Sequence, residues 1–376
     1  MAGLAPSPFC GMLLADLGAR IIRVDRPNTN TFPTDRFTRG KEALAVDLRD
    51  VRGQSIFRKL CASSDVIIDS FRPGVMEKLN LGPADVLAVC PRLIYARMSG
   101  FGQTGPFSGK AGHDINFLAL SGVLSMLGPQ DGKPTPPLNL LGDFGGGLLC
   151  AFGILAAVIR RGITGRGEVL DANLTDGTAY LSSWLWRARD LPVWGEGRGT
   201  GWFDGGLPWY TTYRCRDGQF VAVGCLEKQF FDNLLEALGI PGKYNQQHDQ
   251  DYLESMRTEF GSIFQGKTRG EWAEIFEELD ACVTPVLSLD EASRFSRHQS
   301  GQPSQRGQTD NSGRWSSGPS PSPRILSPSN LPLPVAELGM DLVHHGQHTE
   351  AVLREMGHSD REIQDLISGK IIQGPP

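Results

Sequence analysis

The hydrophobic and polar positions in the first half of the chain alternate between short apolar runs and helix-like patterns. Nearly continuous apolar runs predict buried strands at Ile21–Val24, Val66–Asp69 and Leu93–Ala96, because strands covered by helices on both faces lose the in–out alternation. The helices predicted between them cover residues 6–20, 50–63 and 75–80. Since strands joined by helices imply right-handed crossovers, this pattern predicts an α/β fold with a mainly parallel, Rossmann-like sheet.

A second set of patterns extends this predicted large domain. The residues from Asp143 to Arg161 predict a long helix with Asp143 as its N-cap and two arginines near its end, where the helix dipole favours cations. A strand over 168–172 and a helix over 175–189 are predicted to follow. Near the C-terminus a further helix is predicted over 349–356, and we expect this tail to pack back on the large domain.

The middle of the chain has a different character. Tyr210–Arg214 and Gln219–Val223 flank the sequence Cys215-Arg216-Asp217-Gly218, a combination typical of a β-hairpin. Helical patterns follow at 228–238, 250–265 and 269–279. Together these elements predict a smaller α+β domain.

The domain organisation follows from these patterns. We predict a large α/β domain over 1–190, completed by 335–376, and a small α+β domain over 207–290. The predicted linkers are 191–206 and 291–334, and the second is expected to be extended and partly disordered, because 295–333 is rich in Ser, Pro, Gly, Gln and Arg. A length of 376 residues suits two or three domains of about 150 residues each.

Composition and charge exclude several classes of protein. Hydrophobic residues make up 40% of the chain and charged residues 21%, which is typical of a globular protein with a sizeable core. A net charge of −5 disfavours a nucleic-acid partner. The longest apolar stretch, Leu148–Ile159, is shorter than a bilayer-spanning helix, so no membrane span is predicted. With neither a secretory signal nor a peroxisomal C-terminal tripeptide in view, we expect an intracellular protein.

The cysteines do not indicate a metal centre. Their number, 7, is odd, and they are scattered without a C-x-x-C pair or a histidine at ligand spacing. We therefore predict no bound metal and expect reduced thiols that pack as small core residues.

Three ionisable residues stand in apolar or glycine-rich surroundings, while the common phosphate-loop, dinucleotide, zinc-protease and hydrolase motifs are missing from the sequence. They are His113 in Ala-Gly-His-Asp-Ile-Asn, Asp143 in Gly-Asp-Phe before three glycines, and Glu227 after a predicted strand. A histidine of this kind is more often structural, Asp143 can be a helix cap, and Glu227 can be a solvated loop acid. The glycine run 145–147 indicates close helix packing as readily as a ligand loop, so these patterns alone assign no reaction.

Taken together, longer blocks of sequence carry a resemblance to a known family. The blocks include GLAPSPFCGMLLADLGARIIRVDRP, RLIYARMSGFGQTGP, AGHDINFLALSGVL, PPLNLLGDFGGG and DACVTPVLSL. In this order they resemble the alpha-methylacyl-CoA racemases, which belong to the family III coenzyme A transferase superfamily. The resemblance extends over residues 2–290 and returns at 346–353.

The resemblance implies an isomerase that interconverts the R and S forms of 2-methyl-branched acyl-CoA thioesters through an enolate, with coenzyme A as part of the substrate and no separate cofactor. The family's catalytic pair falls on His113 and Asp143, and its third acid falls on Glu227. Inversion at a carbon requires a base on one face and an acid on the other, roles that imidazole and carboxylate can exchange. Backbone N–H groups at the start of the Asp143 helix are expected to stabilise the enolate. The family's interlocked homodimer would bring Glu227 to His113 across subunits.

The residues expected to bind coenzyme A come from the same comparison. Arg26 matches a ligand-binding arginine, and the stretch that lines the adenine and phosphate end falls on Val46, Asp47, Leu48 and Arg49. The thioester end is expected to lie along Gly112, Asp114, Ile115, Asn116 and Phe117. Arg72 and Arg97 are further candidates on chemical grounds, with surface or packing roles as the alternative.

Departures from the family pattern and two rival functions remain open. Members usually begin with an extra strand of about 5–6 residues, so its apparent absence predicts an incomplete sheet and either a misassigned start or a destabilised protein. One rival function is CoA transfer with Asp176 as the nucleophile, and the other is acyl-CoA binding without catalysis. Relatives work in peroxisomes or mitochondria, which makes these the compartments that the resemblance implies.

Overall fold

The computed structural model of the protein describes residues 1, 3–27, 35–245, 252–292 and 343–375. These residues group into two compact units. The first unit contains Met1–Val123, Pro137–Ser183 and the described C-terminal residues 343–375, and the second contains Leu124–Pro136 and the described residues within 184–292. The linker predicted over 291–334 lies outside the described residues from position 293 on.

Strands and helices alternate along most of the described chain. The strands are β1 (Ile21–Asp25), β2 (Lys41–Val46), β3 (Val66–Asp69), β4 (Ile94–Ser99), β5 (Val169–Asn173), β6 (Tyr210–Arg214), β7 (Phe220–Gly224), β8 (Val283–Pro285) and β9 (Ile372–Gln373). The helices up to residue 187 are α1 (Pro6–Asp16), α2 (Val51–Ala62), α3 (Val75–Lys78), α4 (Pro83–Val89), α5 (Asp114–Leu120), α6 (Gly146–Thr164), α7 (Leu174–Leu181) and α8 (Ser183–Arg187). The later helices are α9 (Lys228–Ala237), α10 (Leu253–Phe264), α11 (Arg269–Glu277), α12 (Thr349–Glu355) and α13 (Asp360–Ser368). Short 3₁₀ segments occur at Val123–Met126 and Pro192–Trp194, and a π-helical turn at Leu140–Gly145.

The first unit contains parallel strands, as predicted. β1 and β2 pair in parallel, and β9 adds to β2 in the antiparallel direction, so that the strand order is β1-β2-β9. A second three-stranded sheet, β3-β4-β5, is parallel throughout. The α/β prediction is therefore confirmed, although the described strands form two small sheets in this unit instead of one.

Burial and capping explain why the elements of the first unit form where they do. Leu44, Ile94 and Tyr95 are fully buried, so the apolar runs that predict strands are covered by helices. The side chain of Asp50 accepts a hydrogen bond from the backbone N–H of Arg52 at 2.8 Å, which makes Asp50 the N-cap of α2. This cap agrees with the helix predicted over 50–63.

The described C-terminal tail packs against the first unit, as expected. Besides the β2–β9 pairing, Nδ1 of His348 accepts the backbone N–H of Ala43 at 3.1 Å, and Oγ1 of Thr349 accepts that of Ala45 at 3.0 Å. The tail contains the helix predicted over 349–356, as α12, and a second helix, α13, which Ser359 caps after a turn at Gly357.

The unpaired edges of these sheets bear on the prediction of an incomplete sheet. Among the described residues, β1 pairs with β2 alone and β3 pairs with β4 alone. The ammonium group of Met1 is buried and donates a hydrogen bond to the carbonyl of Ile68 on β3 at 2.9 Å. The incomplete sheet expected from the family pattern stays a prediction.

The second unit is built on an antiparallel sheet. β6 and β7 form the predicted hairpin, with Tyr210 opposite Gly224 and Arg214 opposite Phe220, and β8 adds to β7. Helices α9, α10 and α11 bury Phe231, Phe260 and Trp272 against this sheet. The hairpin and the helices predicted for this region are confirmed.

The helical segment Leu140–Thr164 is longer than the apolar stretch that the sequence alone suggests. It spans 25 residues with a mean hydropathy of 1.8, which by length and composition is enough to cross a membrane. One side of it is part of the core of the first unit, through Cys150, Ala151 and Ile154. The opposite side presents exposed apolar residues, namely Leu148, Phe152, Leu155, Ile159 and Ile163.

Candidate active site

His113 stands at the beginning of α5. Its backbone is extended, with φ −127° and ψ 176°, and its N–H donates a hydrogen bond to Oδ1 of Asn116 at 3.0 Å. The reciprocal backbone bond runs from the N–H of Asn116 to the carbonyl of His113 at 2.8 Å. These two bonds fix the main chain at the helix start, and the imidazole remains exposed on the first unit.

Asp143 lies inside the π-helical turn Leu140–Gly145 that precedes α6, so its prediction as a helix N-cap is wrong. Its backbone N–H donates a hydrogen bond to Oδ1 of Asp114 at 2.8 Å. Because Asp114 belongs to the first turn of α5, this bond joins the segment of Asp143 to the segment of His113. The two predicted proton carriers therefore come from neighbouring elements of one unit, although 30 positions separate them in the sequence.

The turn also contradicts one expected source of enolate stabilisation. The N–H of Asp143 was expected to be an open donor at a helix start, but the carboxylate of Asp114 already accepts it. The N–H of Phe144 is directed back to the carbonyl of Asn139, at 3.4 Å. Neither group is therefore an available donor for an oxyanion.

The surroundings of Asp143 shift the pKa of its carboxyl group. The side chain is half-buried, and this burial raises the pKa of Asp143 above its ordinary value. A hydrogen bond from Nδ2 of Asn139, at 3.3 Å, acts in the opposite direction on this pKa. The negative charge of Asp114 raises the pKa further, and a positive charge on His113 lowers it. The charge on His113 thus acts on the carboxyl group of Asp143.

The glycines after Asp143 serve close packing. A Cβ atom on Gly146 would lie 2.4 Å from Cδ2 of Leu174, and one on Gly147 would lie 2.7 Å from the carbonyl oxygen of Pro6. These positions have no room for a side chain, since real Cβ contacts are not that short. Of the two interpretations of the glycine run, the structure supports helix packing.

Glu227 belongs to the second unit. It is the residue before α9, with extended backbone angles of φ −84° and ψ 143°, and its side chain is exposed and makes no capping hydrogen bond. Its expected role beside His113 stays a prediction.

Charged residues that were predicted to bind coenzyme A follow β1 and β2. Asp25 of β1 lies opposite Ala45 of β2 in the parallel register, so Arg26 and Asp47 emerge at the same edge of the sheet. The guanidinium group of Arg49 binds both carboxylate oxygens of Asp47, at 2.9 and 2.6 Å. Arg49 holds the pKa of Asp47 below its ordinary value, and the charge of Arg26 contributes to this. The edge therefore presents two exposed cations around one carboxylate.

Several other predicted contact residues have buried side chains. Val46 and Leu48 are part of the core of the first unit, and Phe117 packs edge-to-face against Phe101 with a centroid distance of 5.2 Å. Contacts of these three residues with a ligand could come only from the backbone. Arg97 is also buried, and it pairs with Glu77 at 2.7 Å and with Asp69 at 3.5 Å. These two carboxylates favour the packing role that the sequence left open for Arg97.

The remaining candidates are accessible from solvent. Arg72 lies just after β3 and is exposed, as are Ile115 and Asn116 beside His113. Gly112 must remain a glycine, because a Cβ atom there would lie 2.7 Å from the ring of Phe101. Gly112, Ile115 and Asn116 lie beside His113 at the start of α5, and the side chains of Ile115 and Asn116 are exposed to solvent there.

Asp176, the nucleophile of the rival hypothesis, lies in the first turn of α7. It is exposed, and its Oδ2 accepts a hydrogen bond from Nδ2 of Asn173 at 2.7 Å. Asn173 in turn caps α7 through hydrogen bonds from the N–H groups of Thr175 and Asp176. Within the described parts of the chain, no group of three or more His, Cys, Asp or Glu side chains is arranged to hold a metal ion.

The sequence did not reveal two contributors to this site. Asn139 is not among the predicted site residues, and Asp114 is predicted to contact the ligand, whereas the structure shows both bonded to Asp143. Asn139 precedes Asp143 by 4 residues, a helical spacing that could have indicated a contact. No local pattern could reveal the bond from Asp114, because it joins different elements of the fold.

The sequence is similar to a known family of proteins along most of its length. A family model described as CoA-transferase family III matches residues 1–315, and the chain belongs to this family. A solved structure of a CAIB/BAIF family protein from Brucella suis shares the fold, with a TM-score of 0.75 at 21% identity over 95% of this chain and 97% of that one.

Particular relatives within the family are more informative about the reaction. The chain is 47% identical to the alpha-methylacyl-CoA racemase of Homo sapiens over 376 residues, which are 99% of this chain and 95% of the human protein. It is 46% identical to the alpha-methylacyl-CoA racemase of Mus musculus over the same shares of both chains.

Proposed function

We propose that this protein is an alpha-methylacyl-CoA racemase, an isomerase that interconverts the R and S forms of 2-methylacyl-CoA thioesters. The observation that carries the proposal is the bond between the start of α5 and the turn before α6, which brings the segments of His113 and Asp143 together. The identity of 47% with a racemase across nearly the whole chain supports the same reaction.

The proposed mechanism is a pair of proton transfers at one carbon. One of His113 and Asp143 removes the α-proton of the thioester, and the electron pair of the C–H bond moves into an enolate. The other residue then delivers a proton to the opposite face, so that the configuration is inverted and the two residues have exchanged protonation states. No electrons are transferred, and the balance requires neither a metal nor a redox cofactor.

The raised pKa of Asp143 supports its part in this scheme. A carboxylate of ordinary pKa is a weak base toward an α-proton, and burial beside Asp114 brings the pKa of Asp143 closer to that of an imidazole. When the two groups have similar pKa values, the protonation states required for the two directions of inversion are populated to a similar extent. A racemase needs this symmetry, since both enantiomers are substrates.

The coenzyme A portion is proposed to bind at the edge formed by Arg26, Asp47 and Arg49. Arg49 is exposed, and an ion pair with a solvent-exposed arginine contributes little to stability. Arg49 can therefore turn from the carboxylate to a phosphate at a small cost in free energy. Arg72 is a further candidate for the same phosphates, and Gly112, Ile115 and Asn116 are proposed to lie along the thioester.

We further propose that the active protein is a homodimer in which Glu227 completes the site of the partner. The exposed apolar side of α6 supports association, because Phe152, Ile159 and Ile163 are 68%, 69% and 84% exposed in the single chain. In this arrangement Glu227 would orient His113 and stabilise its cation, as carboxylates do in other histidine-based sites.

An isotope experiment tests the proposal directly. A single enantiomer of a 2-methylacyl-CoA thioester is incubated with the protein in heavy water, and deuterium at the α-carbon and the enantiomer ratio are measured. We expect deuterium incorporation and racemisation without any acceptor acid. CoA transfer through Asp176 would instead give acceptor-dependent thioester exchange, and acyl-CoA binding without catalysis would give neither result.

Substitutions then assign the residues. His113→Ala and Asp143→Asn are expected to abolish deuterium incorporation while coenzyme A still binds, and Asp176→Asn is expected to retain it. His344→Ala and Asp85→Asn remove an exposed imidazole and an exposed carboxylate elsewhere, and they serve as matched controls. Undiminished incorporation in the His113 or Asp143 variant would refute the assigned roles.

A further inference from the structure

Asp114 is buried in a way that the proposed proton transfers do not explain. Its side chain is 5% exposed, and Oδ1 accepts the backbone N–H of Asp143 at 2.8 Å. The second oxygen, Oδ2, is buried and has no hydrogen-bond partner among the residues that the structure describes. A buried carboxylate with one oxygen unsatisfied is destabilising, so its retention beside Asp143 requires a reason.

The carboxylate of Asp114 alters the backbone hydrogen bonding of the turn. In an α-helix the carbonyl of Asn139 would accept the N–H of Asp143, four residues later. Here the N–H of Asp143 is bonded to Asp114, and the carbonyl of Asn139 accepts the N–H of Phe144 at 3.4 Å, five residues later. Inserting a side chain into the i→i−4 ladder widens a helix in this way. The bond from Asp114 thus accounts for the π-helical turn at Asp143.

Gly142 makes this approach possible. A Cβ atom on Gly142 would lie 2.6 Å from Oδ1 of Asp114 and 3.1 Å from Cδ1 of Leu118. Because real Cβ atoms do not come that close to an oxygen, any side chain at position 142 would push the carboxylate of Asp114 away from the turn. The glycine and the aspartate, which are far apart in the sequence, therefore fit one another.

We propose that Asp114 is a positioning residue of the racemase: its carboxylate holds the π-helical turn that orients Asp143, and its negative charge acts on the Asp143 carboxyl. This inference rests on the proposed function, because it assumes that Asp143 carries a proton. It assigns to the side chain of Asp114 a task separate from ligand binding. Asp114 acts through Asp143 and need not touch the substrate.

The other titratable groups around the turn are already engaged or act in a known direction. The turn packs against α1, α5, α6 and α7. On α5, His113 lowers the pKa of Asp143 when charged, and Asp114 raises it. The remaining titratable side chains of these helices are Asp16, paired with Arg39, Asp176, bonded to Asn173, Arg160, paired with Glu168, Arg161, paired with Asp65, the buried thiols Cys10 and Cys150, and the exposed Tyr180.

The test separates the charge of Asp114 from its hydrogen bond. Asp114→Asn retains an acceptor oxygen for the N–H of Asp143 and removes the charge. Catalysis needs one proton shared by Asp143 and His113, so the acid limb of the rate profile follows the pKa of Asp143. We expect that limb to move to lower pH in Asp114→Asn and to remain in place in Asp85→Asn, which removes an exposed carboxylate from α4. An unmoved limb in Asp114→Asn would overturn the charge part of the inference.

Two further variants test the geometry. Asp114→Ala removes the acceptor, and Gly142→Ala displaces it while leaving the carboxylate in the chain. Both are expected to lower kcat by about 10- to 100-fold with little change in KM, because a misplaced proton carrier slows the chemical step more than binding. Wild-type kcat in both variants, at an unchanged thermal transition, would overturn the positioning role. If both failed to fold while Asp114→Asn folded with an unmoved acid limb, the role would be purely structural and the inference overturned.

A readout independent of turnover keeps this inference distinct from the proposed function. The side-chain carboxyl ¹³C shift of Asp143, assigned with Asp143→Asn, can be titrated by NMR in the wild type and in Asp114→Asn. A lower titration midpoint in Asp114→Asn would support the coupling even if the wild type did not racemise thioesters, a result that would overturn the proposed function. Equal midpoints in a wild type that does racemise would overturn the inference alone.

Discussion

A buried lysine in the first unit allows a quantitative prediction about stability. Lys41, the first residue of β2, is 6% exposed, and its ammonium group donates a hydrogen bond to the carbonyl of Pro8 at 2.7 Å. The side chain lies beside Gly11, where a Cβ atom would be 3.4 Å from Cε of Lys41, an ordinary contact distance. The lysine therefore joins the start of the sheet to the first turn of α1.

Burial lowers the pKa of Lys41 from 10.5 to about 8. Asp35 and Asp25 raise this pKa, and Arg23 lowers it, but burial has the largest effect. Between these two values the folded chain has released a proton that the unfolded chain still holds. Unfolding then takes up a proton, so the contribution of Lys41 makes the free energy of unfolding rise with pH in this window.

The size of the effect follows from the difference between the two pKa values. At about 1.4 kcal/mol for each pH unit, a fall from 10.5 to about 8 corresponds to a gain of about 3 kcal/mol when the window has been crossed. Other groups act against it. Burial raises the pKa of the Cys61 and Cys225 thiols from 9.0 to about 12, and this lowers stability above pH 9. The pH dependence of the wild type alone is therefore a mixture.

The difference between the wild type and Lys41→Met isolates the lysine. Urea denaturation at intervals from pH 7 to pH 10.5 gives the free energy of unfolding of each protein. We expect the wild type to gain about 3 kcal/mol relative to Lys41→Met across this range, whatever their difference at pH 7. Lys78→Met removes an exposed lysine from α3 and is expected to run parallel to the wild type. A difference between wild type and Lys41→Met that does not change with pH would refute the reasoning.

Two other predictions concern a helix cap and the exposed side of α6. Asp50→Ala is expected to lower the midpoint of urea denaturation, because the N–H of Arg52 loses its acceptor, and Asp50→Asn should keep the midpoint close to that of the wild type; equal falls in both variants would contradict the capping role. In the proposed homodimer, Phe152→Asp is expected to favour the monomer in sedimentation experiments, and Thr164→Asp, at an exposed position at the end of the same helix, is the control; an association state equal to that of a dimeric wild type would exclude this side of α6 from the interface.

The sequence predicted the elements whose determinants are local. The apolar runs at Val66–Asp69 and Leu93–Ala96 became paired parallel strands, and the turn residues at 215–218 became the hairpin between β6 and β7. In these segments burial pattern, turn residues and caps lie within a few positions of one another. A single sequence contains that information, and the α/β class follows from it.

The prediction failed where a distant side chain competes with local hydrogen bonding. Asp143 before a glycine run is a reasonable N-cap by composition, yet it lies within a π-helical turn. The cause is a carboxylate 29 positions away, whose hydrogen bond displaces a backbone bond of the helix. The hydrophobic periodicity of a sequence does not reveal a contact between such distant residues. The same limitation applies to Arg97, whose carboxylate partners come from the end of β3 and from α3.

The surroundings of Asp143 combine a cost in folding stability with a property that the proposed reaction requires. The half-buried carboxyl of Asp143 loses solvation on folding and lies near the charge of Asp114, and both effects disfavour its ionised form. These two effects raise the pKa of Asp143 toward that of an imidazole, whereas a positive charge on His113 lowers it. In the proposed reaction, a single proton carried by either His113 or Asp143 would allow either enantiomer to react. An environment of Asp143 that costs stability would then serve the proposed catalysis in both directions.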